Sequence, residues 1–314
     1  MLTTDREGSV GIITCAFGSA EHLQMARALA LSVKLHWGGA MALVTDADVE
    51  PDGIFTHIVK YRPEYGQRFE QKLFLDYYTP FKKSLYIDSD CLLCGSPQRD
   101  LEALQGLSFA VFGANCRSGY HELWGVNVED WIRRHQLESV PLFNAGVIYF
   151  ECSPAASLIF DIAREWRLKY DELGCRRVLN GMISDEVCFA IAMAKTGNRA
   201  VEWGWPRLNC VPNGVRGGIK ISVMRSAASV RIQGARYDPL ILHFAGKWRG
   251  EPVYTRERAR MSLLDPACRK RDKLRAYIVV KTFLGWAWPW FFMLRTYRIL
   301  KHRKWTETPS IPTL

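Results

Sequence analysis

The sequence predicts an α/β fold built on a parallel sheet flanked by helices, and three observations predict it. Val10-Gly11-Ile12-Ile13-Thr14-Cys15-Ala16 is a continuous apolar run, the pattern of a strand covered on both faces. A helix follows from Glu21 to about His36, with Leu23, Ala26, Ala30 and Val33 at helical spacing and Gly38-Gly39 as its stop. Met41-Ala42-Leu43-Val44-Thr45-Asp46 is then a second apolar strand, so the chain opens with a βαβ unit and a right-handed crossover.

Further elements alternate in the same way. His57 to Tyr61 reads as a strand, and Arg68 to Tyr78 as a helix stopped by Pro80. Lys72 lies in that helix, where a lysine is ordinarily solvated. Lys83 to Leu93 reads as a short buried strand ending in Asp88-Ser89-Asp90, and residues 107–112 as another strand. A helix is expected near Glu129 to Arg133. In Phe143-Asn144-Ala145-Gly146-Val147-Ile148-Tyr149-Phe150 small residues open a strand and bulky ones fill it. Such a start either turns the chain or leaves room for a ligand beside the backbone, with Asn144 offering both a donor and an acceptor. A helix is expected from about Ala155 to Leu173, and another from Ser184, a cap residue followed by Asp185 and Glu186. Residues 204–236, rich in Gly, Pro, Arg and Ser, read as irregular loop. Leu240 to Gly250 is a strand running into a basic turn, in which His243 is a core histidine or a ligand. Lys247 and Arg249 there are a solvated turn or a phosphate clamp.

Composition excludes several function classes. With 314 residues and 48% hydrophobic residues the chain can bury one large core or two small ones. Nine cysteines lie in apolar segments, and Met1 to Gly8 has no signal-peptide pattern, so buried thiols in a reducing cytosol are expected. Cys91-x-x-Cys94 has no second pair at metal spacing, so zinc or redox chemistry is not expected there. The first strand–helix turn has neither Gly-x-x-x-x-Gly-Lys nor Gly-x-Gly-x-x-Gly, which argues against a P-loop and a dinucleotide fingerprint. The net charge is +10; residues 256–314 hold 14 Lys+Arg and 4 Asp+Glu, leaving 28 of each in residues 1–255. The body is neutral and the tail basic, which is not the charge stripe of a nucleic-acid-binding domain.

Asp88-Ser89-Asp90 organises the chain chemically. An apolar strand delivers its last residues to the carboxyl edge of a sheet, where open α/β folds bind ligands. Two carboxylates flanking one small residue there can hold Mg²⁺ or Mn²⁺; they can equally form a turn.

The ordered set of motifs resembles the GT-A glycosyltransferases, most closely the family 8 group that includes glycogenin. Lys72 precedes Asp88 by sixteen residues. Asn144-Ala145-Gly146 matches that group's small-residue strand, Asp185-Glu186 stands where it has Asp-Gln, and His243-Phe244-Ala245-Gly246 matches its closing motif. The likeness covers roughly residues 9–250. It implies a mixed, mostly parallel, Rossmann-like sheet and a nucleotide-diphosphate-sugar donor, UDP-linked, used with retention. It also implies Asp88, Asp90 and His243 as ligands of Mn²⁺ or Mg²⁺, with Ser89 between the two acids. Lys72, Gly246, Lys247 and Arg249 would hold the phosphates, and Thr14, Cys15, Ala16 and Asp46 the base and ribose. Asn144, Ala145, Asp185 and Glu186 would face the sugar. Glu186 departs from the group's Gln, and its closing lysine falls on Arg249. A nucleotide-sugar-binding protein without catalysis is the alternative, with Glu186 as its one support. A nucleotidyltransferase is disfavoured because the Gly-rich basic loop that opens such sheets is missing.

Two segments are therefore expected, a catalytic domain over 1–255 and a basic, aromatic C-terminal segment over 256–314. Thr282 to Leu294 is thirteen uncharged residues, with three tryptophans within five. A span needs about 20 residues, so docking on an anionic membrane surface is expected rather than crossing. Arg269, Lys270, Arg271, Lys273 and Arg275 precede it, and Arg295, Arg298, Lys301, Arg303 and Lys304 follow. A peripheral position on the cytoplasmic face of a membrane follows; packing on the body or a homodimer is the other reading. An unidentified glycan, lipid or protein acceptor is expected, and no nucleic acid.

Overall fold

The computed structural model describes residues 7–179, 181–213, 215 and 218–303. Strand β1 (Glu7–Ala16), helix α1 (Ala20–His36) and β2 (Ala40–Thr45) form the opening unit. Ser19 caps α1, its side chain accepting from His22 N at 3.2 Å. After β3 (His57–Lys60) come α2 (Leu75–Tyr78), β4 (Phe81–Ile87), β5 (Cys91–Leu93) and α3 (Gln98–Leu104). Then follow β6 (Phe109–Cys116), β7 (Tyr120–His121), β8 (Val126–Asn127), α4 (Val128–His135) and β9 (Val140–Glu151). Helices α5 (Pro154–Leu168) and α6 (Asp185–Lys195) precede β10 (Lys220–Ser222), β11 (Ala227–Ile232), β12 (Ala235–Tyr237) and β13 (Ile241–His243). Two helices close the described chain, α7 (Pro252–Leu264) and α8 (Lys270–Arg303).

The main sheet has six strands in the order β3-β2-β1-β4-β9-β6. Strand β1 runs parallel to β2 and β4, and β2 parallel to β3, whereas β9 is antiparallel to β4 and β6. Side-chain alternation splits the core into two layers. Ile12, Leu43, Leu85 and Val147 join residues of α1 and α7 on one face. Ile13, Val44, Tyr86 and Ile148 join residues of α5 and α6 on the other. Both faces are thus dry, which accounts for the near-continuous apolar runs. The α/β class and the mostly parallel sheet are as expected.

Local departures have local causes. Residues Arg68–Phe74 wind as a 3-10 helix and only Leu75–Tyr78 as α, not one α-helix. Gln71, Lys72, Leu73 and Phe74 are all buried, and four consecutive inward residues do not fit one face of an amphipathic α-helix. Strand β9 begins before Asn144, so the small residues lie inside it. Residues 204–236 are not structureless, because β10, β11 and β12 form a three-stranded antiparallel sheet. The β11–β12 turn is Gln233-Gly234, both at positive φ (50° and 90°), the signature of a two-residue type I′ hairpin.

Helix α7 packs on α1 and α8 on α7. Arg27 ties α1 to the α7–α8 link through Asp265, with Nε 2.6 Å from Oδ2. Phe283 and Ala287 are buried, and Leu284 and Trp288 are 75% and 71% exposed. Among the described residues no helix is long and apolar enough to cross a membrane. Residues 304–314, Lys304 included, and the side chains of Trp286, Trp290, Phe291 and residues 294–303 lie outside what is described.

Candidate active site

Several chain segments meet at one end of β4. The strand stops at Ile87; Asp88 N then donates to Gly146 O at 2.8 Å, and Cys91 N to Asp88 O at 3.0 Å. This turn swings β5 out of the main sheet to pair with β13, placing Cys91 opposite His243. Phe244 N donates to Asp90 O at 3.0 Å, fixing the two loops against each other. In consequence His243 Nε2 lies 3.0 Å from Asp90 Oδ1 and 3.5 Å from Asp88 Oδ2. Arg249 Nε reaches Asp90 Oδ2 at 3.0 Å from the turn beyond β13.

Lys72 is not a solvated lysine. Its Nζ is 2.9 Å from Asp88 Oδ2 and 3.2 Å from Asp185 Oδ2, and it donates to Ala145 O at 3.1 Å. Burial alone would lower its pKa, but the Asp185 and Asp88 carboxylates outweigh burial and raise it. Burial opposes ionisation of Asp90 as well, yet His243 and Arg249 hold its pKa below the usual carboxylate range. For His243 the same balance runs the other way round, since burial favours the neutral ring while Asp90 and Asp88 raise its pKa.

Asn144 is the hub. Its Oδ1 accepts from Gly146 N at 3.0 Å, which identifies that atom as the oxygen, and faces His243 Nδ1 at 2.7 Å. His243 therefore carries a proton on Nδ1, and Nε2 is the atom turned toward the two aspartates. Asn144 Nδ2 donates to Glu186 Oε1 at 2.9 Å, and Ala145 N reaches the same oxygen at 3.2 Å. Gly146 is required by contact, because a Cβ there would stand 2.2 Å from His243 Nδ1. Glu186 keeps some accessible surface as a residue, but its carboxyl lies within the protein. Burial, and then the neighbouring Asp185 charge, pushes its pKa up to about 7. Burial also raises that of Asp185, against the pull of Lys72.

The remaining expected residues spread over the rim and floor. Thr14 and Ala16 are buried in β1, and Thr14 Oγ1 has no hydrogen-bond partner among the described residues. Cys15 is half-buried, with its thiol pKa pushed up by burial. Asp46 Oδ2 accepts from Gly18 N at 2.9 Å, closing the first turn. Ser89 is half-buried and Gly246 exposed, the latter at φ +55°. Lys247 does not join the cluster; it is exposed, with Nζ 5.3 Å from the Trp248 ring centroid.

Two residues of the cluster escaped the sequence reading. The fully buried Tyr86 donates its hydroxyl to Asp88 Oδ1, and Asn209 Nδ2 donates to Asn144 O at 2.5 Å. Tyr86 could have been found, because it lies two positions before Asp88 and so on the same side of the strand. Asn209 sits in a segment taken for loop and carried no such signal.

Ligand atoms of Asp90, Cys91 and His243 lie within 4.8 Å of one another. Burial, and then Asp90, pushes the Cys91 thiol well above its usual pKa, and a protonated thiol is a poor ligand. The donors that fit a cation are therefore carboxylate oxygen and imidazole Nε2, a mixed hard and borderline set that a divalent ion can accept.

No protein-family model matches the chain, and no curated protein matches its sequence. Solved structures match in shape. The galactosyltransferase LgtC, crystallised with donor and acceptor sugar analogues, superposes with a TM-score of 0.50 at 14% identity, over 87% of this chain and 95% of that one. The bifunctional glycosyltransferase WbbM in its apo form gives 0.53 at 14% identity, over 88% of this chain and 53% of that one. The fold is GT-A. The GT-A sheet explains the placing of the cluster, since Ala16, Thr45 and Ile87 all end parallel strands at the edge where Asp88 to Asp90 turn.

Proposed function

We propose that this chain is a metal-dependent glycosyltransferase that moves a sugar from a UDP-sugar to an acceptor hydroxyl, with retention. The observation that carries the proposal is the convergence of Asp88, Asp90, His243, Lys72 and Arg249 at one sheet edge. Asp90 and His243, with Asp88, are the residues that would hold Mn²⁺ or Mg²⁺. Bound there, the ion supplies Lewis-acid stabilisation of the donor's phosphates.

In the reaction the anomeric C–O bond breaks and its electron pair stays on the departing nucleotide diphosphate. The acceptor oxygen forms the new bond on the same face, and its proton passes to the leaving phosphate oxygen. Arg249, 41% exposed as a side chain, can turn from Asp90 to that phosphate, and Lys247 is within the same turn. Lys72 is enclosed and holds Asp88 and Asp185 in fixed positions. Asn144, Ala145, Asp185 and Glu186 face the sugar. Thr14, Cys15, Ala16 and Asp46 form the base and ribose side, with Ser89 and Gly246 at the phosphates.

The reaction would be carried by residues 1–255, with residues 256–314 as a surface-binding segment on the cytoplasmic face of an anionic membrane. Exposed Leu284 and Trp288 on α8, a helix whose first turns are basic, favour that role. A dimer through the same helix is the alternative for the tail.

A thermal-shift panel of nucleotide sugars with and without Mn²⁺, followed by donor-turnover assays, tests the proposal. Metal-dependent stabilisation by one UDP-sugar, with turnover, is expected. Stabilisation without turnover on any acceptor would favour a non-catalytic binding protein, for which Glu186 is the supporting feature. No response to any nucleotide sugar would overturn both.

A further inference from the structure

A concavity of about 510 Å³ lies away from the Asp88–His243 cluster, between β10, the turn after it, α7 and α8. Ile221 and Phe283 contribute an apolar floor, and four cations surround it: Lys220, Arg225, Arg256 and Arg260. Among the described residues one carboxylate answers them. Glu257 is fully buried; its Oε1 accepts from Arg256 Nε and Arg260 Nη1 at 2.8 Å each, and its Oε2 from Val223 N at 3.0 Å.

Arg256 is held further by a 2.6 Å bond to Ile221 O and by the Phe283 ring, whose centroid is 4.5 Å from its guanidinium carbon. Lys220 and Arg225 are exposed and, among the described residues, pair with no carboxylate. An apolar floor under an uncompensated cationic rim suits a ligand with an anionic head and an apolar body. A simple anion would have no use for the floor.

Phe283 belongs both to this floor and to α8, where the following residue, Leu284, and Trp288 one turn on are exposed apolar side chains. The cationic cavity is therefore continuous with an apolar helix face. We propose that the cavity receives the phosphate headgroup of an anionic membrane lipid while Leu284 and Trp288 lie against its acyl region. This rests on the surface-binding role given above to the tail, and adds a discrete headgroup site to it.

The test floats full-length protein with phosphatidylglycerol vesicles and with phosphatidylcholine vesicles, and measures thermal stability in excess inorganic phosphate without lipid. The variant is Lys220→Glu/Arg225→Glu, with Arg225→Glu alone as a second should the double variant fold poorly. Partition onto phosphatidylglycerol should fall at least about 25-fold in the double variant, roughly fivefold per cation removed. UDP-dependent thermal stabilisation should be unchanged. Wild-type partition by either folded variant overturns the headgroup site and leaves the tail reading standing. Failure of the unmodified protein to bind any vesicle overturns both. Stabilisation by inorganic phosphate that the variants lose, with no vesicle binding, assigns the cavity to a soluble anion. Equal binding to both vesicle types removes the headgroup, and dimerisation without vesicle binding assigns α8 to a second copy; either overturns the proposal.

Discussion

Lys72 Nζ stands 3.2 Å from Asp185 Oδ2, linking the 3-10 turn before β4 to the first residue of α6. The same ammonium touches Asp88 at 2.9 Å, so one enclosed cation compensates two carboxylates. Lys72→Met would leave Asp185 without its cation and Asp88 with only Tyr86 and His243, and should lower the unfolding free energy by roughly 3–5 kcal/mol at neutral pH. The deficit should shrink as Asp185, whose pKa burial raises, protonates on lowering the pH. Urea denaturation at neutral and acidic pH measures it; a loss below about 1 kcal/mol would mean that the pair behaves as a surface ion pair.

Gly146 offers a separate test of the His243–Asn144 contact. A methyl group there would meet His243 Nδ1 at 2.2 Å and Asn144 Oδ1 at 2.8 Å, so Gly146→Ala must displace the imidazole. Mn²⁺-dependent UDP affinity should fall at least about tenfold, roughly 1.4 kcal/mol. Calorimetric titration of the variant checks this, and undiminished affinity would remove His243 from the proposed site.

Glu186 should leave a pH signature. Its folded pKa of about 7 lies above the ordinary 4.5, so between those values the folded protein holds more protons than the unfolded chain. Stability contributed by the protonated carboxyl is then present below the unfolded value and is lost as pH rises through the folded one. Glu186→Gln removes that titration and keeps a hydrogen-bond acceptor for Asn144 and Ala145. Relative to wild type, the variant should gain on the order of 2–3 kcal/mol between pH 5 and pH 8. Chemical denaturation at the two pH values decides; parallel behaviour of the two proteins would place an ionised Glu186 in the folded state throughout.

Asp90 and Arg249 should separate the metal from the phosphates. Asp90→Ala should abolish Mn²⁺-dependent UDP binding with the fold intact by circular dichroism. Removing a charge-assisted bond costs roughly 1.5–3 kcal/mol, so Arg249→Ala should weaken UDP at least about tenfold and leave uridine almost untouched. Equal losses for UDP and uridine would point to a damaged pocket instead of a lost phosphate contact.

Much of this site was legible because strands announce themselves by apolar runs and turns by Asp, Asn and Gly. Asp88, Asn144 and His243 each sit in or at the end of such a run, and the resemblance set them in order. Lys72 was legible only through that resemblance, since sixteen residues of spacing carry no geometric meaning until Phe81–Ile87 brings Asp88 back beside it. The sheet of β10, β11 and β12 was missed because strands of three to six residues are too short for alternation to stand out. The Gln233-Gly234 turn was its one local sign. The four-cation cavity was invisible, because Lys220 and Arg225 meet Arg256 and Arg260 only through tertiary packing.

The pairing of β5 with β13 is only three residues long, yet it helps to align Asp90 with His243. Such a short ribbon opens by local fluctuation far more readily than the six-stranded sheet. Each opening separates the two side chains, so a ligand held by both acts as a staple across that seam. Slowing of amide hydrogen exchange on ligand binding should therefore concentrate at Phe244, bonded to Asp90 O, and at Cys94, bonded to Leu240 O. The centre of β1, already protected by neighbours on both sides, should barely change.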